Sequence, residues 1–395
     1  MHGNAALVTR SRVLIRGAAA VAAAGALPLT GGFITNHRQA AFSYLAAYAF
    51  WLSLALGSLV FIQIHHTINS SWFVVLRRPA EAVAGTLPIL ALLFLPVVTS
   101  LPELYPWSLP GAELPTLLAD EIGRKREYLN VPFFLVRSAA YFVIWISASW
   151  LLRRWSIRQD AGDGEAIALR QRTFSAVMLP PVAFALTFAA FDWMMSLTPE
   201  WSSTIYGVYF FAGAAIASLS LLAIAAHALL RTGALEGMIT ASHLHALGKL
   251  MLAFLIFWAY VGFAQFLLIW IADLPREVGW YLARARGGWG AVGGVLVVGH
   301  FFVPLCALLS RGLKRRSSTL AVVGAWLLLM HYVDVYWLVL PALHPAGFRP
   351  HWLDFAALTG IGGTVVAWAA RLLVAAPLLP TGDPRLQRSL DFVTS

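Results

Sequence analysis

Leu328–Pro341 reads LLMHYVDVYWLVLP. His331 and Asp334 interrupt an otherwise apolar run, and at a spacing of three they share one face of a helix. The run belongs to a longer apolar segment, about residues 318–343, which is long enough to cross a bilayer. Ionisable groups at that depth are expensive. They normally face a bundle interior or a hydrated path. The stretch therefore points to an all-α integral membrane protein with titratable groups turned inward.

Composition agrees. The chain has 395 residues, 59% of them hydrophobic and 12% charged, with a mean hydropathy of +0.74. Soluble domains are nearer a quarter charged. The formal net charge is +10, but the basic residues sit in short segments between apolar runs, as topology signals do. This excludes a nucleic-acid partner. The lone cysteine, Cys306, cannot form an intrachain disulfide or supply a zinc or iron–sulfur site by itself. No Gly-rich phosphate loop with its lysine is present.

Ten spans can be drawn, at about 13–35, 39–64, 79–101, 131–152, 173–197, 203–230, 246–272, 288–311, 318–343 and 352–376. Backbone amides cannot go unpaired in lipid, so these should be helices. The first span is Ala-rich and follows Arg10, Arg12 and Arg16. It resembles a signal peptide, but with no sharp cleavage site it reads as a retained helix. With a cytoplasmic N-terminus, the inner segments hold more than twice the lysine and arginine of the outer ones. Both termini are then expected inside, which needs an even number of spans. The long outer loop, about 102–130, mixes acids such as Glu113 with three bases. A second outer loop, 273–287, reads DLPREVGWYLARARG and suggests a surface-lying amphipathic helix.

By depth, His300 and His331 fall near mid-membrane and Asp334 slightly further out. Asp192 lies near the outer end of the fifth span, and Asp354 opens the tenth. Together they suggest a proton path from mid-membrane outward, with Tyr332, Tyr336 and Gln265 as extensions. His331 and Asp334 can hydrogen-bond across one turn, which would offset part of their burial. A second group lies at the inner ends of the sixth and seventh spans: His227, His243, His245 and Lys249. His65 and His66 end the second span. An isolated intramembrane histidine more often joins two helices than carries protons. Arg137, inside the fourth span, can snorkel outward or pair with Asp192 or Asp334. His300 and His331 lie at similar depth on neighbouring spans, as bis-histidine haem ligation needs, yet the duplicated set of four histidines is missing. Apolar grooves between helices offer room for a quinone. The glycines of GGVLVVG (293–299) and GIGG (360–363) favour close helix contact.

Several long strings resemble one family. HALGKLMLAFLIFWAYVGFAQFLLIWIADLPREVGWYLAR (245–284), VVGHFFVPLCALLSRGLKR (297–315), LLLMHYVDVYWLVLP (327–341), AFDWMMSLTPEWSSTIYGVYFFAG (190–213) and GDPRLQRSLDF (382–392) are similar to segments of the ActF subunits of alternative complex III. The likeness covers residues 173–392 well and the first part mainly by span count. It implies an NrfD-like (PsrC-like) fold. Two four-helix bundles would occupy 39–197 and 203–343, with 13–35 and 352–376 peripheral. It also implies a multi-pass subunit of a quinol:cytochrome c oxidoreductase in the bacterial cytoplasmic (inner) membrane. Its partners would be an ActC-like membrane paralogue, an iron–sulfur subunit and c-type cytochrome subunits. Iron–sulfur clusters and c-type haems would then reside in those partners. This chain would bind no cofactor of its own, quinone or quinol aside. The family resemblance places quinol oxidation in the ActC-like sister. Here FWAYVGFAQF, with Gln265, stands where quinol-binding relatives carry an aromatic–Glu pattern. The expected role is proton conduction or structural support, without a catalytic centre.

Overall fold

The computed structural model describes residues 2–110 and 115–394, with side chains from residue 12 onward. The side chains of Arg10 and Glu113 lie outside that description. Regular structure is helical throughout, with no strand among the described residues. Ten of the helices are long and apolar enough to cross a bilayer. They are numbered α1 (Arg12–Thr35), α2 (His37–Thr67), α3 (Val74–Thr99), α4 (Val131–Gln159), α5 (Gly164–Leu197), α6 (Tyr206–Arg231), α7 (Ala241–Ala272), α8 (Trp289–Leu309), α9 (Ser317–Ala342) and α10 (Trp352–Val374). The protein is an all-α, multi-pass membrane protein. Successive crossings alternate, so both chain ends lie on one side, termed the terminal face. The opposite side is the distal face.

Hydropathy explains why these segments are helices; burial explains how they are arranged. Of the most apolar window of α2, 94% is buried, against 17% for α1. α2 packs on α3, α5, α6, α9 and α10, and α6 packs on α2, α5, α7 and α9. α4 lies against α5, α8 against α7 and α9, and α1 against α10. Small residues make the closest approaches. Gly57 of α2 meets the Ala214 carbonyl and Ser218 of α6, and Gly25 of α1 meets Gly360 of α10. A Cβ at either position would strike backbone.

Prolines shape two spans. α3 runs as three pieces, Val74–Ala84, Leu87–Leu92 and Leu95–Thr99. Pro88 and Pro96 each sit in the first turn of a new piece, where a missing N–H costs least. In α8 the turn Leu296–Phe302 is π-helical, and Val303 N–H bonds back five residues to Val298. Pro304 follows directly and cannot donate to the His300 carbonyl four residues earlier. The wider turn relieves that conflict. α4 and α5 run past their apolar cores, because arginine- and glutamine-rich ends continue a helix as readily as they leave the bilayer.

On the terminal face the C-terminal segment is clasped by buried charge. Asp383 accepts from Arg77 and from Arg385 (2.8 and 3.0 Å). Arg77 also lies 3.2 Å from Glu81, and Arg78 bonds Asp160 at 2.6 Å. Burial alone would push the Asp383 carboxyl up. Hydrogen bonds from Arg385 and the charge of Arg77 outweigh it and hold the group down at about 2. An unfolded aspartate titrates near 3.9. A depressed folded value stabilises fully above about pH 4, and that contribution drains away as pH falls toward 2; it amounts to about 2–3 kcal/mol. The thermal unfolding midpoint in detergent should therefore drop between pH 4 and pH 2. Asp383→Asn should unfold at lower temperature at pH 7 and show a smaller acid-induced drop than wild type. An equal drop in both would remove Asp383 as its cause.

Candidate functional site

α9 carries His331 and Asp334 toward the centre of the molecule, where they are 1% and 2% exposed. They do not bond to each other, contrary to the expectation from their spacing. Each reaches a different neighbour. His331 Nε2 lies 2.9 Å from Ser53 Oγ of α2. Asp334 Oδ1 accepts from Tyr209 Oη of α6 at 2.5 Å, and Oδ2 accepts from Trp258 Nε1 of α7 at 3.1 Å. Gly213 of α6 faces both groups, and a Cβ there would sit 2.9 Å from His331 Nδ1. That nitrogen has no hydrogen-bond partner. His300, on the π turn of α8, is fully buried with neither ring nitrogen bonded. Its ring lies tilted against Trp258, with centroids 4.2 Å apart. One junction thus holds a carboxyl with only neutral donors and two histidines with unused ring nitrogens.

Asp192 belongs to a different kind of site. Arg137 grips it with two parallel bonds, Nε to Oδ2 at 2.8 Å and Nη2 to Oδ1 at 2.9 Å. Tyr141 adds a third at 2.8 Å. The guanidinium also lies 3.9 Å from the Tyr128 ring centroid and bonds the Tyr128 carbonyl. Arg137 thus neither snorkels freely nor pairs with Asp334. Asp192 and Asp334 have no bonding partner in common.

Asp354 caps α10 at the distal face, accepting from Ser43 (2.5 Å), Tyr336 (3.0 Å) and the His351 amide (2.8 Å). Ser43 accepts from Gln39, whose Oε1 lies 2.8 Å from His344 Nε2. A continuous hydrogen-bonded chain thus runs inward from the distal face. Gln265 lies elsewhere on that face, between Ser203 (3.0 Å) and Tyr281 (2.9 Å). At the terminal end, His243 closes a cap. Its Nδ1 accepts from the Thr240 amide at 3.0 Å, so Nε2 carries the proton and donates to the Ser389 carbonyl at 2.9 Å. Lys249 donates to Thr394 at 3.0 Å, and His227 Nδ1 lies 3.1 Å from Ser317 Oγ. His245 Nδ1 has no partner. His66 lies against Arg385, and His65 stacks on Phe73.

Beside the junction, a cavity of about 850 Å³ opens between α7, α8, α9 and the surface helix Pro275–Ala285. Its walls are mainly apolar and rich in aromatics, including Phe266, Trp270, Trp280 and Tyr281. Tyr209 and Trp258, the two donors to Asp334, also line it. Arg284 forms part of the wall, 3.4 Å over the Trp280 ring and bonded to the Trp280, Trp337 and Leu338 carbonyls. Sequence reading singled out the α9 pair but not Ser53, Tyr209, Gly213 or Trp258. Only helix packing reveals those partners. No protein-family model matches the chain, and no curated protein does.

Breaking a buried, bidentate ion pair leaves an uncompensated charge and costs about 3–5 kcal/mol. Arg137→Ala should therefore lower the thermal midpoint sharply. Adding Asp192→Asn should recover part of the loss, because it removes the stranded charge. A double variant no more stable than Arg137→Ala would show that the pairing is not what holds α4 to α5 there.

Proposed function

We propose that the chain is a proton-carrying, ActF-like membrane subunit of a bacterial quinol:cytochrome c oxidoreductase of the alternative complex III type. In this reading it sits in the cytoplasmic membrane with the terminal face toward the cytoplasm. An ActC-like sister subunit oxidises quinol, and the partner subunits carry the iron–sulfur clusters and c-type haems. The observation that carries the proposal is the state of Asp334. It is buried beside two histidines and is held only by the neutral donors Tyr209 and Trp258. A carboxyl held this way can take up a proton and release it without breaking an ion pair, unlike Asp192. Asp334, His331 and His300 are assigned as the central relay. His243, His245 and Lys249 mark the entry side, and the Asp354–Ser43–Gln39–His344 chain marks the distal exit. Asp192 is assigned a tethering role with Arg137. Protons would move by hydrogen-bonded transfer through water and side chains, driven by changes in the neighbouring subunit.

Asp334→Asn and His331→Ala, in the assembled complex, should lower the number of protons moved per electron while quinol oxidation continues. Undiminished pumping in an intact complex would reject the relay. Loss of assembly alone would point to a scaffold.

A second reading, direct quinone binding by this chain, is favoured by the aromatic cavity that borders the Asp334 donors. A photoreactive quinone analogue separates the two readings. Labelling of residues 258–281 supports a site here, and labelling confined to the sister subunit removes it.

A further inference from the structure

Two sets of cations on the terminal face contrast. Those near α2 and α3 are answered by carboxylates: Arg77 by Glu81 and Asp383, Arg78 by Asp160, Arg385 by Asp383. Those at the start of α7 and in the α8–α9 turn are not. Lys249, Arg311, Lys314 and Arg315 form no ion pair with any described carboxylate. They nevertheless gather around one buried imidazole. The charges acting most strongly on His245 are these four, all cationic. His245 is only 5% exposed, and its Nδ1 has no partner.

Lys314 is the most informative of the four. It too is 5% exposed, and its stem lies over Gly248 of α7. Burial and the charge of Lys249 both push its ammonium down. A side chain at Gly248 would collide with it, its Cβ 2.6 Å from Lys314 Cγ. The fold therefore makes room for a buried lysine beside like charges, and among the described residues no carboxylate pairs with them. Repulsion among cations at this range is unfavourable without a counter-anion. Lys249 spends one N–H on Thr394 and keeps two.

What lies next to the cluster says which anion. α7 and α8 pack together. Their outward surface on the bilayer side is apolar and open, with Ile256 47%, Phe302 51%, Val303 50% and Leu309 64% exposed. The cations stand at the end of that seam, at the level where the helices leave the bilayer. Phosphate groups of lipids lie at that level, and acyl chains would run along the exposed seam. A soluble anion would gain nothing from the apolar surface.

We propose that the cleft between the first turns of α7 and the α8–α9 turn binds the phosphate headgroup of an anionic phospholipid, with Lys249, Arg311, Lys314 and Arg315 as donors and His245 at its floor. The site shares Lys249 and His245 with the proposed entry side of the proton path, but it rests on charge and packing alone, and its test reads lipid binding, not proton movement.

Cys306 supplies a reporter. It is the only cysteine in the chain, is exposed, and lies one turn before Leu309 on α8. The full chain, labelled there with an environment-sensitive fluorophore, is placed in nanodiscs of dioleoylphosphatidylcholine with rising fractions of dioleoylphosphatidylglycerol. The signal should change saturably. Lys314→Gln with Arg315→Gln should raise the half-saturating fraction at least ten-fold, whereas Arg170→Gln with Arg172→Gln, elsewhere on the same face, should leave it unchanged. Gly248→Leu keeps every charge but displaces Lys314, and it should weaken the response as the charge variant does. Charges that serve only to orient the chain in the membrane predict no effect of Gly248→Leu, and that result would overturn the site. So would an equal response in discs lacking phosphatidylglycerol. If inorganic phosphate alone reproduces the change in phosphatidylcholine discs, the cleft takes a soluble anion and the lipid assignment fails.

Discussion

At Gly57 the backbone of α2 comes against Ala214 and Ser218 of α6, and nothing larger than hydrogen fits between them. The Ser58–Ser218 hydrogen bond, at 2.8 Å, closes the same contact. This approach sets the depth at which the two most buried helices meet, and the polar junction follows from it. One turn along α2 from Gly57, Ser53 reaches His331. One residue before Ala214 on α6, Gly213 leaves the space His331 and Asp334 occupy, and one turn further back Tyr209 bonds Asp334. A side chain at Gly57 would separate α2 from α6 and withdraw the hydrogen-bond partners on both sides of α9 together.

Three buried acids show how the interior grades its polar groups. Asp192 is held by a guanidinium with paired bonds, and Asp354 by hydroxyls and a backbone amide as a helix cap. Asp334 has two neutral donors and no cation. Asp354 also lacks a cation but caps α10, whereas Asp334 closes no helix end. The difference lies in what each neighbouring helix presents, since all three carboxyls are similarly hidden from solvent.

The ten crossings were legible because lipid leaves apolar length as the dominant signal. The inward pair on α9 was legible because two ionisable groups at a spacing of three stand out in apolar surroundings. What their side chains touch was not. His331 and Asp334 share a face yet diverge to α2 on one side and α6 and α7 on the other, and no spacing rule says which helix lies opposite. Arg137 had two candidate acids by depth, and the packing of α4 on α5 decided for Asp192. The sequence pattern assigned no role to Glu81, Asp160 and Asp383, yet with Arg77, Arg78 and Arg385 they form a largely buried network. Hydropathy counts charges near helix ends as solvated; it cannot see a tail segment folding back over them. The π turn has a local cause in Pro304, but its effect on where His300 points depends on α7 and α9.

The cavity and the junction share two walls, and this gives the α7–α9 half a physical route for coupling. Tyr209 and Trp258 each use their polar atom on Asp334 and their ring on the cavity. Trp258 in addition lies against His300. An occupant that tilts the Trp258 ring would lengthen its bond to Oδ2 and change the surroundings of His300 in one movement. Occupancy and the proton state of Asp334 would then bias each other to the same degree, as linkage between two equilibria requires. Asp192 has no such connection, because its partners Arg137 and Tyr141 lie on α4, away from the cavity lining. In the proposed reading, control of proton position by events in the membrane plane would be concentrated where α6 to α9 meet.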